Sequence, residues 1–171
     1  MRFSVGVISI VYIFYFMEDE NEKAITYRTC NHSNCFFICR LRVLKKEEEF
    51  YDLVTETQDL LDEYADDIYS CWYDYVYEDE YSSVDSALVA AMLLNTDNME
   101  TIEANNEIIK NLYSKVKDGK LKAEVKAVMQ AYNDYYAFVM EVSGSFKSFS
   151  ENKETLKKEL SSALKDLSFE L

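Results

Sequence analysis

The fold is decided by residues 46–80, which read KEEEFYDLVTETQDLLDEYADDIYSCWYDYVYEDE. Apolar residues recur there every three or four positions, and acidic residues fill most of the positions between them. This spacing predicts one long amphipathic helix with an apolar stripe and an anionic outer side. The predicted stripe is Phe50, Leu53, Val54, Thr57, Leu60, Leu61, Tyr64, Ile68, Cys71, Trp72 and Tyr75. At about 1.5 Å per residue the helix is roughly 50 Å long, which suits the central helix of a bundle.

Shorter helices are predicted after it, over residues 83–94, 98–117, 120–142 and 150–168. The side chains expected to be buried in the last three are Ile102, Ile109, Leu112, Tyr113, Val116, Leu121, Val125, Val128, Met129, Tyr132, Tyr135, Tyr136, Val139, Met140, Leu156, Leu160, Ala163, Leu164 and Leu167. The connections are short, and no strand pattern lies between the helices. The sequence therefore predicts an all-α domain over residues 45–171, an antiparallel bundle of four to five helices.

Polar residues and glycines mark the expected ends of these helices. Ser82 or Ser83 is expected to begin the second helix, and Asp97 to cap the third, with an acid three residues later as in a capping box. Gly119 is expected to end the third helix in the left-handed conformation. The segment Ser143–Ser145, with glycine at its centre, interrupts the chain before the last helix.

Residues 1–44 form a segment of different character. Phe3–Met17 is an uncharged apolar run behind Arg2, shorter than the ~20 residues that span a bilayer. A basic residue followed by such a run is typical of a secretory signal or an anchor. Its content of Val, Ile, Tyr and Phe equally favours a small β-meander, with further strands at Ala24–Cys30 and Phe36–Leu44.

The same segment contains the candidate metal ligands Cys30, His32, Cys35 and Cys39. Zinc sites are usually built from two pairs of ligands that are a dozen or more residues apart, so four ligands within ten residues are a weak zinc signal. A disulfide between Cys30 and Cys35 is a second interpretation, in an oxidising compartment. A third is that these cysteines are small apolar residues of a strand or anchor. We expect no cofactor.

The net charge of −14 is unevenly distributed along the chain. Residues 47–107 contain nineteen Asp and Glu and no Lys or Arg, whereas residues 108–171 contain eleven Lys and nine acids. The acidic segment repels nucleic acid and anionic membranes, and it attracts divalent cations or a basic protein. The alternative is a solvated helix surface whose charge is partly offset by the lysine-rich segment folding against it.

Residue types for catalysis are scarce. His32 is the one histidine, so the paired Glu-x-x-His motifs of di-iron bundles are absent from the sequence. The acidic stretches lack the glycine of an EF-hand loop, and there are only three glycines for any phosphate-binding loop. These observations favour a non-enzymatic protein.

Two short patterns resemble small helical lipoproteins and secreted proteins of Gram-positive bacteria. They are CWYDYVY at 71–77 and VSGSFKSF at 142–149, and the similarity extends over about residues 55–168. The resemblance implies an all-α, extracytoplasmic domain with no catalytic residues to assign, in which Trp72, Gly144 and Ser145 are architectural. At the front of the chain, Cys30, Cys35 and Cys39 are not preceded by the small-residue box that such lipoproteins carry before their lipidated cysteine.

Two functional hypotheses follow from these features. The first is an extracytoplasmic or surface-associated module that presents an acidic face to a protein partner, with membrane association through residues 3–17. The second is a cytosolic acidic decoy that resembles DNA in charge and occupies a basic protein. The oligomeric state stays open, because the leucines of 156–167 can close a monomer core or pair with another chain.

Overall fold

The computed structural model describes the backbone of residues 32–171 and the side chains of residues 45–171. This part of the chain forms five helices and no strand. They are α1 (His32–Tyr77), α2 (Val84–Leu94), α3 (Thr96–Val116), α4 (Lys122–Met140) and α5 (Phe146–Ser168). The predicted all-α class is confirmed.

Helix α1 is the central element, and it contacts all four other helices. It begins at His32, well before the expected start at residue 46. Residues 36–44, a strand in the β-meander interpretation, are therefore helical. The physical reason is that no glycine or proline separates them from the helix that follows. The apolar run at 3–17 and the proposed strand at 24–30 lie outside the described residues.

The helices run alternately up and down. Asn95 bonds to Asp67, and further along α3 Asn105 bonds to Thr57, so α2 and α3 together run antiparallel to α1. Helix α4 runs parallel to α1. Helix α5 runs antiparallel to α1, from the level of Trp72 towards the level of Gln58. The result is a four-rod antiparallel bundle whose second rod is broken at Asn95, which agrees with the prediction of four to five helices.

The core is built from the predicted apolar stripes. Buried side chains come from every helix, and the largest fully buried ones include Phe50, Val54, Leu61, Ile68, Ile102, Ile109, Tyr132, Tyr135, Phe149, Leu160 and Leu167. Burying such side chains stabilises the fold by about 1.5–3 kcal/mol each relative to exposure. The hydrophobic effect thus selects one face of each rod.

The start of α2 agrees with expectation, and the start of α3 differs from it. The second helix begins at Ser83, which forms a reciprocal capping box with Ser86, as predicted for its start. The third helix begins directly after Asn95, so the prediction that Asp97 caps it is wrong and Asp97 lies in its first turn. The reason is tertiary: Asn95 is buried, and its amide donates to Asp67 at 2.7 Å and to the Ala91 carbonyl at 3.0 Å, which sets the break there.

The two loop glycines have different roles. Gly144 adopts φ +93°, a left-handed conformation that favours glycine, directly before the capping box of Ser145 and Ser148 that opens α5. Helix α5 accordingly begins at Phe146, earlier than the predicted residue 150. Gly119 does not adopt a positive φ, so the predicted left-handed ending of α3 is wrong. What Gly119 supplies is space, because a Cβ there would lie 2.7 Å from Oε1 of Glu47.

Candidate interaction surface

Lysines of α5 meet acids of α1 along one seam. Lys157 Nζ lies 2.9 Å from Oδ2 of Asp62, and Lys153 pairs with Asp66. The hydrogen bond to Asp62 raises the pKa of Lys157, so that lysine remains charged. The lysine-rich segment therefore folds against the acidic segment, as one interpretation expected, but these contacts involve only two of its carboxylates.

The seam continues into the core through a tyrosine. The hydroxyl of Tyr135 on α4 donates to Oδ1 of Asp62 at 2.6 Å, so Asp62 is held by two neighbouring helices. Burial, and then the adjacent Asp62 carboxylate, raises the pKa of Tyr135, which keeps its hydroxyl protonated as the donor. This contact joins α1, α4 and α5 at one point.

Lys153 is the buried member of the seam. Its side chain is about nine-tenths covered, whereas the side chain of its partner Asp66 is 62% exposed. The ammonium also lies 5.1 Å from the centre of the Tyr69 ring, within the range of a cation–π interaction. Packing of the aliphatic stem and this aromatic contact explain why a lysine occupies a position that faces α1.

Most acids of the 47–107 segment lie outside the seam, on the outer surface of α1, α2 and α3 and on the loop between α1 and α2. On α1 the exposed ridge contains Asp52, Glu56, Asp59 and Glu63, which follow one another at helical spacing. The other exposed acids, within the described side chains, that form no ion pair there are Glu48, Glu49, Glu78, Asp79, Glu80, Asp85, Asp97, Glu100 and Glu103. We call these thirteen carboxylates, including the α1 ridge, the acidic face.

The structure places the predicted architectural residues at helix junctions. Trp72 is buried at the upper end of α1, with its ring 5.7 Å from Phe149 and 6.0 Å from Phe146 of α5. Gly144 and Ser145 form the turn that delivers those phenylalanines. The α4–α5 turn and the end of α1 are thus joined by aromatic packing.

The candidate metal ligands are not brought together within the described part. Cys30 lies outside the described residues, while His32, Cys35 and Cys39 belong to the backbone of α1 and their side chains are not described. Among the described side chains, no group of three or more His, Cys, Asp or Glu is placed to hold a metal ion. Cys71 is buried and carries a free thiol.

Sequence reasoning missed the burial of Glu47. This side chain is fully buried, neither of its oxygens has a hydrogen-bond partner among the described residues, and burial raises the pKa of its carboxyl. The nearby backbone of Leu121 and the positive charge of Lys120 act in the opposite direction and partly lower this pKa. A signal was present in the sequence, because Glu47 precedes Phe50 and Val54 at the spacing of the apolar stripe.

A groove of about 420 Å³ lies between α4 and α5, away from the acidic face. It is lined largely by alanines, with Lys126, Asp134 and Glu159 at its edges. Its wide opening and small side chains leave carboxylates and an ammonium in water, where their interactions are weak. It supports no particular chemistry.

Comparison of the chain with protein-family models, with curated proteins and with solved structures gave no match in any of the three. Within the described residues, every helix is too short or too polar to cross a bilayer.

Proposed function

We propose that this chain is a non-enzymatic helical module, extracytoplasmic or associated with the cell surface, that binds a basic protein through its acidic face. The observation that carries the proposal is the distribution of charge after folding. The lysines of α5 pair with Asp62 and Asp66, and the acidic face stays exposed on the other helices. Folding thus leaves thirteen carboxylates of residues 48–103 exposed and without an ion pair among the described side chains.

Such a surface attracts a cationic partner at long range. Carboxylates fixed on rigid helices create a field of one sign that raises the association rate of an oppositely charged protein. The field is screened over about 10 Å at 0.1 M salt, so binding that depends on it weakens as salt is added. The extracytoplasmic location is supported by the resemblance at residues 71–77 and 142–149 to secreted helical proteins of Gram-positive bacteria.

The experiment compares two variants of equal charge change. In the first, Asp52→Asn, Glu56→Gln and Asp59→Asn neutralise part of the acidic face. In the control, Glu141→Gln and Asp166→Asn are combined with Glu170→Gln, which neutralises three exposed acids of the lysine-rich segment. Each protein is immobilised and exposed to a lysate of its own cells, and captured basic proteins are identified across a salt series.

We expect the first variant to capture fewer basic proteins than the native chain, and the control to capture as many. We also expect capture to decline as the salt concentration rises. Equal capture by both variants, or capture indifferent to salt, would contradict it.

The cytosolic decoy remains the second candidate, because one unbroken segment of sixty-one residues, 47–107, carries nineteen acids and no cation, as a mimic of DNA charge requires. Cell fractionation separates the two candidates: chain outside the cytoplasm supports the surface module, and chain confined to the cytosol supports the decoy. DNA competing for the captured protein would also support the decoy.

A further inference from the structure

Helix α2 carries several large apolar side chains on its outer side. Only Ala87 and Ala91 of this helix are buried, and they lie on the side that faces α1. Val89, Met92 and Leu93 are 51%, 43% and 72% exposed, and they occupy the opposite side of the helix at three- and four-residue spacing. An amphipathic helix ordinarily buries its larger apolar residues, whereas α2 leaves these three exposed.

The alanines explain how α2 is held, but they do not explain its outer side. Small residues on the inner side let α2 lie close to α1, and the Ser83 capping box and the buried amide of Asn95 hold its two ends. None of these contacts requires apolar residues on the outside. Contiguous exposed apolar side chains of this kind mark binding surfaces in soluble proteins.

Acids border this apolar patch. Asp85 lies one turn before Val89, and Asp97 follows Leu93 by four residues, in the first turn of α3; both are exposed. No cation lies nearby in the sequence, because residues 47–107 contain none. The complement of such a surface is a ridge of apolar side chains with positive charges at both sides.

We propose that the outer side of α2 docks an amphipathic helix of the partner protein, with its apolar ridge on Val89, Met92 and Leu93 and its lysines or arginines on Asp85 and Asp97. This inference rests on the proposed function and specifies the partner's chemistry. A second copy of this chain fits poorly, because a twofold contact would bring these acids against their own copies in chains of charge −14. An anionic membrane is repelled in the same way.

The probe is a synthetic helical peptide of about 18 residues, with leucines along one face and lysines elsewhere. The control peptide has the same composition, with its leucines distributed evenly around the helix. Binding to the full chain is measured by fluorescence anisotropy. The contact is located by NMR of methyl-labelled methionines, in which Met92 reports on the patch and buried Met129 serves as the internal reference.

Leu93→Ser is the test variant and Ile108→Ser the matched control, because Ile108 is 50% exposed on α3, away from α2. Neither substitution touches the core. Leu93→Ser is expected to weaken binding of the amphipathic peptide about tenfold, from the lost burial of one leucine. Ile108→Ser is expected to change binding less than about twofold, as a solvent-facing substitution outside the contact does. We expect the NMR signal of the Met92 methyl group to shift when the peptide binds.

The outcomes separate the two proposals. If both peptides bind equally and salt weakens both, the docking site on α2 is refuted while the acidic face still attracts cations. If neither peptide binds at low salt, both proposals fail. Self-association of the chain that Leu93→Ser abolishes would assign the patch to a second copy and overturn the docking of a partner helix.

Discussion

Removing the hydroxyl of Tyr135 tests the contact that joins three helices of the bundle. In Tyr135→Phe the ring stays in the core, and only the hydrogen bond to Oδ1 of Asp62, 2.6 Å long, is lost. Hydrogen bonds to charged groups contribute about 1.5–3 kcal/mol to the free energy of unfolding. Asp62 keeps its ion pair with Lys157 and is 17% exposed, so water partly replaces the hydroxyl. We therefore expect a loss near the lower end, about 1.5 kcal/mol.

The assays are equilibrium unfolding in urea and thermal unfolding, each followed by the helical circular dichroism signal. A chain of this size loses about 2–4 °C of melting temperature per kcal/mol, so the expected decrease is about 3–6 °C. Tyr136→Phe is the matched control, since Tyr136 is half-buried on the same helix and its hydroxyl has no hydrogen bond to a described residue. Its expected change is within about 0.5 kcal/mol.

A double-mutant cycle identifies the cause. In the Asp62→Asn background the charge-assisted bond is already weakened, so Tyr135→Phe should cost less there than in the native chain. An equal cost in both backgrounds, or a Tyr135→Phe protein as stable as the native one, would refute the argument that this contact joins the helices.

Three further perturbations test individual positions. Glu47→Gln should raise the free energy of unfolding at about pH 8 and have little effect near pH 4. The reason is that the pKa of Glu47 is raised in the native fold, so the fold loses stability as the pH rises from the ordinary pKa of 4.5 through the raised pKa. Urea unfolding across that pH range measures this, and a Gln variant less stable at the higher pH would contradict it. Gly144→Ala should lower the free energy of unfolding by about 1–2 kcal/mol, measured by thermal unfolding, because a φ of +93° strains an L-residue. Ser143→Ala should leave the stability nearly unchanged, and equal effects of the two substitutions would refute the conformational explanation. Lys153→Met should change the free energy of unfolding by less than about 1 kcal/mol, because the aliphatic stem is kept and Asp66 is already largely in water. A greater loss in urea unfolding would show that the ion pair stabilises the fold more than its exposure suggests.

The helical rods and most of their buried faces were predictable because both arise from neighbours along the chain. Phe50, Val54, Leu61 and Ile68 recur at the period of an α-helix, and they are buried as expected. Ser83 and Gly144 are likewise local signals, for a helix start and a turn. The front segment, the binding function and the location were not reached in this way and stay predictions.

The sequence by itself determined the rods, most of the breaks between them and the segregation of charge along the chain, since backbone hydrogen bonding and side-chain period act over a few residues. The tertiary structure alone decided which side of each rod meets which neighbour. It placed Glu47 against Gly119, paired Lys157 with Asp62, and turned the alanines of α2 inward while Leu93 faced outward. Helix α2 is apolar on nearly every side, so the spacing of its apolar residues does not predict which side is buried. Packing against α1 made that choice, since small alanine side chains permit a close approach of two helices.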